Sequence, residues 1–518
     1  MKSNFKPLGI AAAVAVASAG YANVASAQTV ANNALGDLAL VPYYTVNGDW
    51  LTGVHIVNTS AQTQVVKFRF RRATDSMDAL DFNIVMSPED VYAGYLSDDD
   101  GAISWQADDT TCTVPATTGG KLTMPEIYRD DAETGYVEII AMGAPEFETS
   151  PIAEAAKHKA GVPADCAAVR SNFFADGSST SGSETRGVID FETTYGVDAD
   201  ATDTVDFGGE STYTDSGNVL KVSYFIRDNA TGVEFGDNAV HIQDFLENPS
   251  ITNQQYGVFS GDLNGFDFPD LDGGVPTASP AERGKFVALR SGSVLGVSKL
   301  INEWTANTAN GAALDWVVTM PGQYTMLDLP NYIEEELDAD GAAVLDEDCK
   351  RGELNKACDY RDIPVTATIV PYNREELTST PEEGGLTVSP APPGEVQRLV
   401  LPNETNVITF GNKDQNGVLG VIGDVDITAD LEQPYGWLSL EVASATTGDT
   451  AVCDWDVNTR VTNGEYSAAA GADLTMTCSS VGGNVPMIGF AAWARQVAAN
   501  PDASYGRIVA HSFESAAP

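Results

Sequence analysis

The run Val65-Val-Lys-Phe-Arg-Phe-Arg71 puts Val66, Phe68 and Phe70 on one side of an extended chain. Lys67, Arg69 and Arg71 fall on the other. Period-two runs of this kind limit the fold more than any other feature of the sequence. Residues 136–140 alternate too, and further short strand-like runs recur around residues 38–45, 51–57, 81–86, 91–95, 219–226, 285–300, 314–320, 406–410, 437–442, 487–490 and 506–510, with Gly, Asn, Asp and Pro between them. Short strands at regular spacing with turn residues between predict an all-β sandwich or barrel. A single helix is expected in the first half, over residues 151–159 and ending before Gly161. The expected class is mainly β, a β-sandwich of Ig-like or jelly-roll-like form, with long acidic loops and few short helices. The basic strand should present Lys67, Arg69 and Arg71 to water, paired across strands with acids such as Asp78 or Glu138.

Residues 1–27 have a different character. A basic start at Lys2 and Lys6 precedes a short Ala-rich apolar run, and Ala25-Ser26-Ala27 offers small residues for cleavage before Gln28. This pattern predicts a secretory signal peptide that is removed, and an exported mature chain at the cell surface, in the medium or in the periplasm. No later stretch is long and apolar enough for a transmembrane helix. Two β-rich regions are expected beyond it, at 28–330 and 331–518, with a Pro/Gly-rich break at 378–395.

Six cysteines in an exported chain read as disulfides: Cys112, Cys166, Cys349, Cys358, Cys453 and Cys478. Pairing nearest neighbours closes the shortest loops, although other connectivities fit the count. A zinc site is disfavoured because the chain has no C-x-x-C, and its histidines (His55, His158, His241, His511) are scattered. With 74 acidic against 28 basic residues the net charge is −46, and losing Lys2 and Lys6 deepens it by two. Phosphate backbones would be repelled, which excludes a general nucleic-acid binder.

Several phrases bear a likeness to known sequences. They are DFNIVMSPEDVYAG (81–94), TGYVEIIAMG (134–143), VPADC (162–166), GVEFGDNAV (232–240), NEWTANTANGAALDWVVTMPGQY (302–324), YNREE (372–376) and NVITF (406–410). In these the chain resembles a family of exported, acidic, uncharacterised bacterial cell-surface proteins, and the likeness spans nearly the whole mature chain. The resemblance implies a β-rich, surface-associated protein. It implies no reaction and carries no catalytic residue.

Three chemistries compete for the remaining motifs. Asn412, Asp414 and Asn416 alternate before Gly417, like the opening of a calcium loop. Gly423 stands where the bidentate carboxylate should be, and Asp338-Ala-Asp340-Gly341 is a shorter fragment. Ordinary turn chemistry explains each loop singly, but so acidic a chain attracts divalent cations. Calcium is therefore the one cofactor the loops admit. Exposed aromatics such as Trp105, Tyr435 and Trp437 suggest ligand or carbohydrate binding. Glu303-Trp304 and Asp315-Trp316 offer a carboxylate pair of the kind a hydrolase uses. Alternation instead directs the indoles inward. No nucleophile elbow, H-E-x-x-H or Walker loop occurs, and a Ser/His/Asp site from His55, His241 or His511 has no local support. The leading expectation is a non-catalytic surface protein, self-associating or bound to surface polysaccharide through divalent cations. The alternatives are a carbohydrate-binding module and a secreted hydrolase.

Overall fold

The computed structural model describes residues 28–171, 213–246, 294–305, 312–322, 365–373, 398–410, 417–427, 435–442 and 485–514, apart from a few positions within these spans, together with isolated residues and short strand pairs elsewhere. The chain is mainly β, with helices only at Pro151–Ala156 and Cys166–Ser171 among the described residues. None of the described helices is long and apolar enough to cross a membrane.

The first half builds two antiparallel sheets. One has eight strands, with its centre running Leu38–Thr45, Thr134–Pro145, Gln64–Arg72 and Asp78–Met86. The other has six, with Leu220–Asp228, Trp50–Asn58 and Val91–Ser97 at its centre. Their facing sides share one core. Val66, Phe68, Phe70, Phe82 and Ile139 come from the first sheet, and Val54, Ile56, Tyr92, Trp105 and Ile226 from the second. Trp105, expected at the surface, is fully buried. Its indole N–H donates to the Tyr92 hydroxyl at 2.8 Å, and its ring packs on Phe68 at 5.0 Å.

The second half adds two five-stranded sheets. Trp304, Leu440 and Ile369 from one meet Trp316, Ile408 and Ala491 from the other in a second core. The reverse side of the Trp316 sheet joins the first core through Val317, Val407 and Phe490. Thr319 Oγ1 donates to Pro42 O at 2.6 Å, and the Thr405 amide to Ala73 O at 3.0 Å, so polar bonds also tie the halves together.

The helix at 151 is shorter than expected. It stops at Ala156, and His158–Lys159 pairs with Val162–Pro163 instead. The tight turn there uses positive φ at Ala160 and Gly161, which a continuing helix does not allow. Cys112 and Cys166 form the expected disulfide, anchoring the second helix to the eight-stranded sheet. Cys453 and Cys478 lie directly opposite in a strand pair. Cys349 and Cys358 lie outside the described residues.

The basic strand departs most from expectation. Lys67, Arg69 and Arg71 are all 0% exposed. Lys67 Nζ sits 2.5 Å from Asp81. Arg69 bridges Asp78 and Glu138, both at 3.1 Å, and Arg71 bridges the same two acids at 2.8 Å. The expected partners Asp78 and Glu138 are therefore present, but the face is dry. Apolar clusters flank it: Val65, Val85 and Met142 pack with the two helices on one side, and Leu38, Leu40 and Ile140 with Phe245 on the other. Ser76 joins the charges to Tyr136 at 2.8 Å and to Glu404 of the second half. Burial, followed by the charges of Glu138 and Glu404, pushes the Tyr136 hydroxyl well above its usual range.

A buried ion cluster is far more sensitive to losing one member than to losing all of them. Glu138→Gln should lower unfolding free energy by about 3–5 kcal/mol, whereas replacing the six charges together by apolar residues of similar size should cost less. Urea denaturation measures both. A loss from Glu138→Gln below about 1 kcal/mol, the range of a surface pair, would contradict this account.

Candidate functional site

Strand alternation brings a row of aromatic and charged side chains to the outer face of the Trp437 sheet. In Lys299–Thr305, Leu300 and Trp304 face the core, while Lys299, Ile301, Glu303 and Thr305 are half-buried on the other side. In Tyr435–Val442, Leu438 and Leu440 are buried in the core, and Tyr435 and Trp437 remain partly exposed. Register then aligns three strands: Glu303 lies opposite Trp437, and Trp437 opposite Tyr372. Directly opposed side chains on one face are in contact range. The Trp437 and Tyr372 rings stack 3.9 Å apart at 7°. Tyr372 thus covers one face of the indole, and the other is turned toward the strand that carries Glu303. Trp437 keeps 39% of its surface exposed, unusual for a side chain of that size.

Glu303 in turn accepts a hydrogen bond from Arg507 Nη2 at 2.8 Å. The Arg507 guanidinium also lies 4.9 Å from the Trp493 ring, where cation and π-cloud attract. Arg507 belongs to the Trp316 sheet, so the pair closes the edge where the two sheets meet. His511 stitches the same edge from inside. It hydrogen-bonds Asn302 Nδ2 through Nδ1 at 2.9 Å and Val317 O through Nε2 at 3.0 Å.

The expected site residues divide cleanly. Trp437 and Tyr435 lie side by side on this face. Asn412, Asp414, Asn416, Asp338 and Asp340 lie outside the described residues. Among the described residues no group of three or more His, Cys, Asp or Glu is arranged to hold a metal ion. Glu303 and Asp315 do not share a cleft. Glu303 is on the outer face, whereas Asp315 is 2% exposed and points to the other side of its sheet from Trp316. Its carboxylate accepts the Leu419 amide at 3.1 Å, and a Cβ on Gly417 would lie 2.3 Å from it, so only glycine lets the loop approach this closely. Of the histidines weighed for a triad, His55 is exposed, His241 Nε2 accepts the Val222 amide at 2.8 Å, and His511 is committed to the sheet edge. Arg507, Trp493 and Tyr372 were not singled out from the sequence. Alternation within 505–510 and 488–495 marks their faces, but only register brings them beside Trp437.

No protein-family model matches the chain, nor does any curated protein or solved structure.

Two buried ionisable groups on opposite sides of the Trp316 sheet give its stability a pH dependence. Burial raises the Asp315 carboxyl to about 7, outweighing the Leu419 and Val418 amides that lower it. A raised folded-state value means that its contribution is complete below the unfolded value of 3.8 and is lost as pH rises through 7. Burial lowers His511 to about 4, outweighing its bond to Val317. Its contribution is complete above 6.5 and is lost as pH falls through 4. Asp315→Asn keeps an acceptor for the loop amides and removes the charge. It should raise the melting temperature by about 3 °C or more at pH values above about 8, and progressively less as pH falls toward 4. Calorimetry across that range checks it, and an equal shift at both ends would count against the titration of Asp315.

Proposed function

We propose that the protein is an exported, non-catalytic surface protein that binds a saccharide on the outer face of the Trp437 sheet. The observation that carries this reading is the Tyr372–Trp437 stack, exposed to solvent beside the Glu303–Arg507 pair. The apolar C–H face of a sugar ring matches an exposed aromatic face, and its hydroxyls match a carboxylate that accepts and a guanidinium that donates. Stacking one aromatic on the other holds Trp437 upright without a ligand, so little side-chain freedom is left to lose on binding. The leader-like residues 1–27 and the Cys112–Cys166 disulfide support a place outside the cytoplasm.

Binding is favoured over hydrolysis by the separation of Glu303 from Asp315, since glycosidic cleavage needs two carboxyl groups flanking one bond. Cation-bridged assembly draws its support from the net charge alone.

The test is a glycan array probed with the mature chain and with Trp437→Ala. Retention of a defined set of glycans is expected, falling at least about tenfold in the variant. An array pattern unchanged by Trp437→Ala, or no retention at all, would defeat the reading. Reversible growth in particle size on adding Ca²⁺, read by light scattering, would then favour assembly through cations.

A further inference from the structure

The row does not end at Trp437. Tyr372, Trp437 and Glu303 lie on adjacent strands, so about 10 Å separates the first from the last. Arg507 and Trp493 carry the row onto the second sheet, and Tyr505 packs on Trp493 with ring centroids 5.5 Å apart. Water reaches it throughout: Tyr505 is 47% exposed, and the Arg507 and Glu303 side chains 56% and 44%. Trp437 is backed by Tyr372 in a near-parallel stack, and Tyr505 by Trp493, itself partly buried against the second core, in a contact tilted by 46°. Between them lies one ion pair. The surface therefore offers two aromatic stations separated by a polar one, more than a single sugar ring covers.

Resting on the saccharide reading above, we infer that this row takes an extended, uncharged polysaccharide chain lying across the strands. One sugar stacks on Trp437 and another on Tyr505. Hydroxyls of the intervening segment donate to the Glu303 carboxylate and accept from the Arg507 guanidinium. Lack of charge on the ligand follows from electrostatics. The ion pair is neutral in itself, and the chain around it carries a net charge of −46, which repels an acidic polymer. Preference for a chain over a short sugar follows from shape. An open face crossing two sheets grips a polymer along its length, and each further station adds contacts without a second cost of association.

The experiment is isothermal titration of the mature chain with cello-, malto- and xylo-oligosaccharides, from the disaccharide to the hexasaccharide. For the linkage that binds, affinity should climb about tenfold with length and then level off. Tyr505→Ala should flatten the climb, lowering hexasaccharide affinity about tenfold and disaccharide affinity much less. Tyr505→Phe, which keeps the ring, should retain the climb. Trp437→Ala should weaken every length. A disaccharide that binds as tightly as the hexasaccharide, with Tyr505→Ala neutral and Trp437→Ala damaging, would overturn the extended site and leave the saccharide reading standing. No binding at any length, or binding indifferent to Trp437→Ala, would overturn both.

Discussion

Three cations and three carboxylates, removed from water on one face of the eight-stranded sheet, set the terms for the rest of the molecule. Lys67, Arg69 and Arg71 cannot be buried unless Asp78, Asp81 and Glu138 arrive with them. Those acids come from strands on both sides of the basic one, so the cluster fixes which strands are neighbours. It also fixes their register, because a one-residue slip would put Arg69 among the phenylalanines and Phe68 among the acids. The second half joins this arrangement. Glu404 reaches Ser76, and the Thr405 amide bonds Ala73, so the contact between the halves also completes the polar face.

The same logic makes the second half a suitable support for a surface site. Trp304 and Trp316 fill the space between its two sheets, and the Trp316 indole N–H is satisfied by Glu303 O at 2.8 Å. That bond runs from the core to the backbone of the residue whose side chain faces solvent. His511, held at both ring nitrogens, fixes the strand crossing at the edge where Arg507 meets Glu303. The exposed row thus stands on rigid strands with buried hydrogen-bonded supports, an arrangement that holds ligand-contacting groups in place before the ligand arrives.

Much of the fold was legible in the sequence. Alternation located the strands at 38–45, 64–72 and 405–410 to within a residue, because each has a clear period of two or a continuous apolar run. It failed on the environment of the basic strand. A polar face reads as wet when strands are taken one at a time. The contrary signal was nearby: Ile139-Ile-Ala-Met142 is apolar on both faces, which is the mark of a strand covered on both sides. Acids within such strands, beside a strand with alternate cations, belong to a buried ionic layer. The reading of Trp105 failed for a related reason, since one residue in a short polar strand does not reveal which face is covered. Trp437 was legible as an aromatic of interest, while its partners Tyr372 and Arg507 come from strands distant in the chain.

Residue order by itself determined the β class and most strand positions, because local periodicity and turn chemistry act over a few residues. It left the cysteine pairing open until the structure joined Cys112 to Cys166. Only the tertiary structure decided that the basic strand is dry, that Glu303 and Asp315 face apart, and that Tyr372, Trp437, Glu303, Arg507, Trp493 and Tyr505 form one row. Each depends on which strands become neighbours and which faces are covered. Those outcomes are set by long-range packing and by the need to pair every buried charge, and neither is written in any single stretch of the chain.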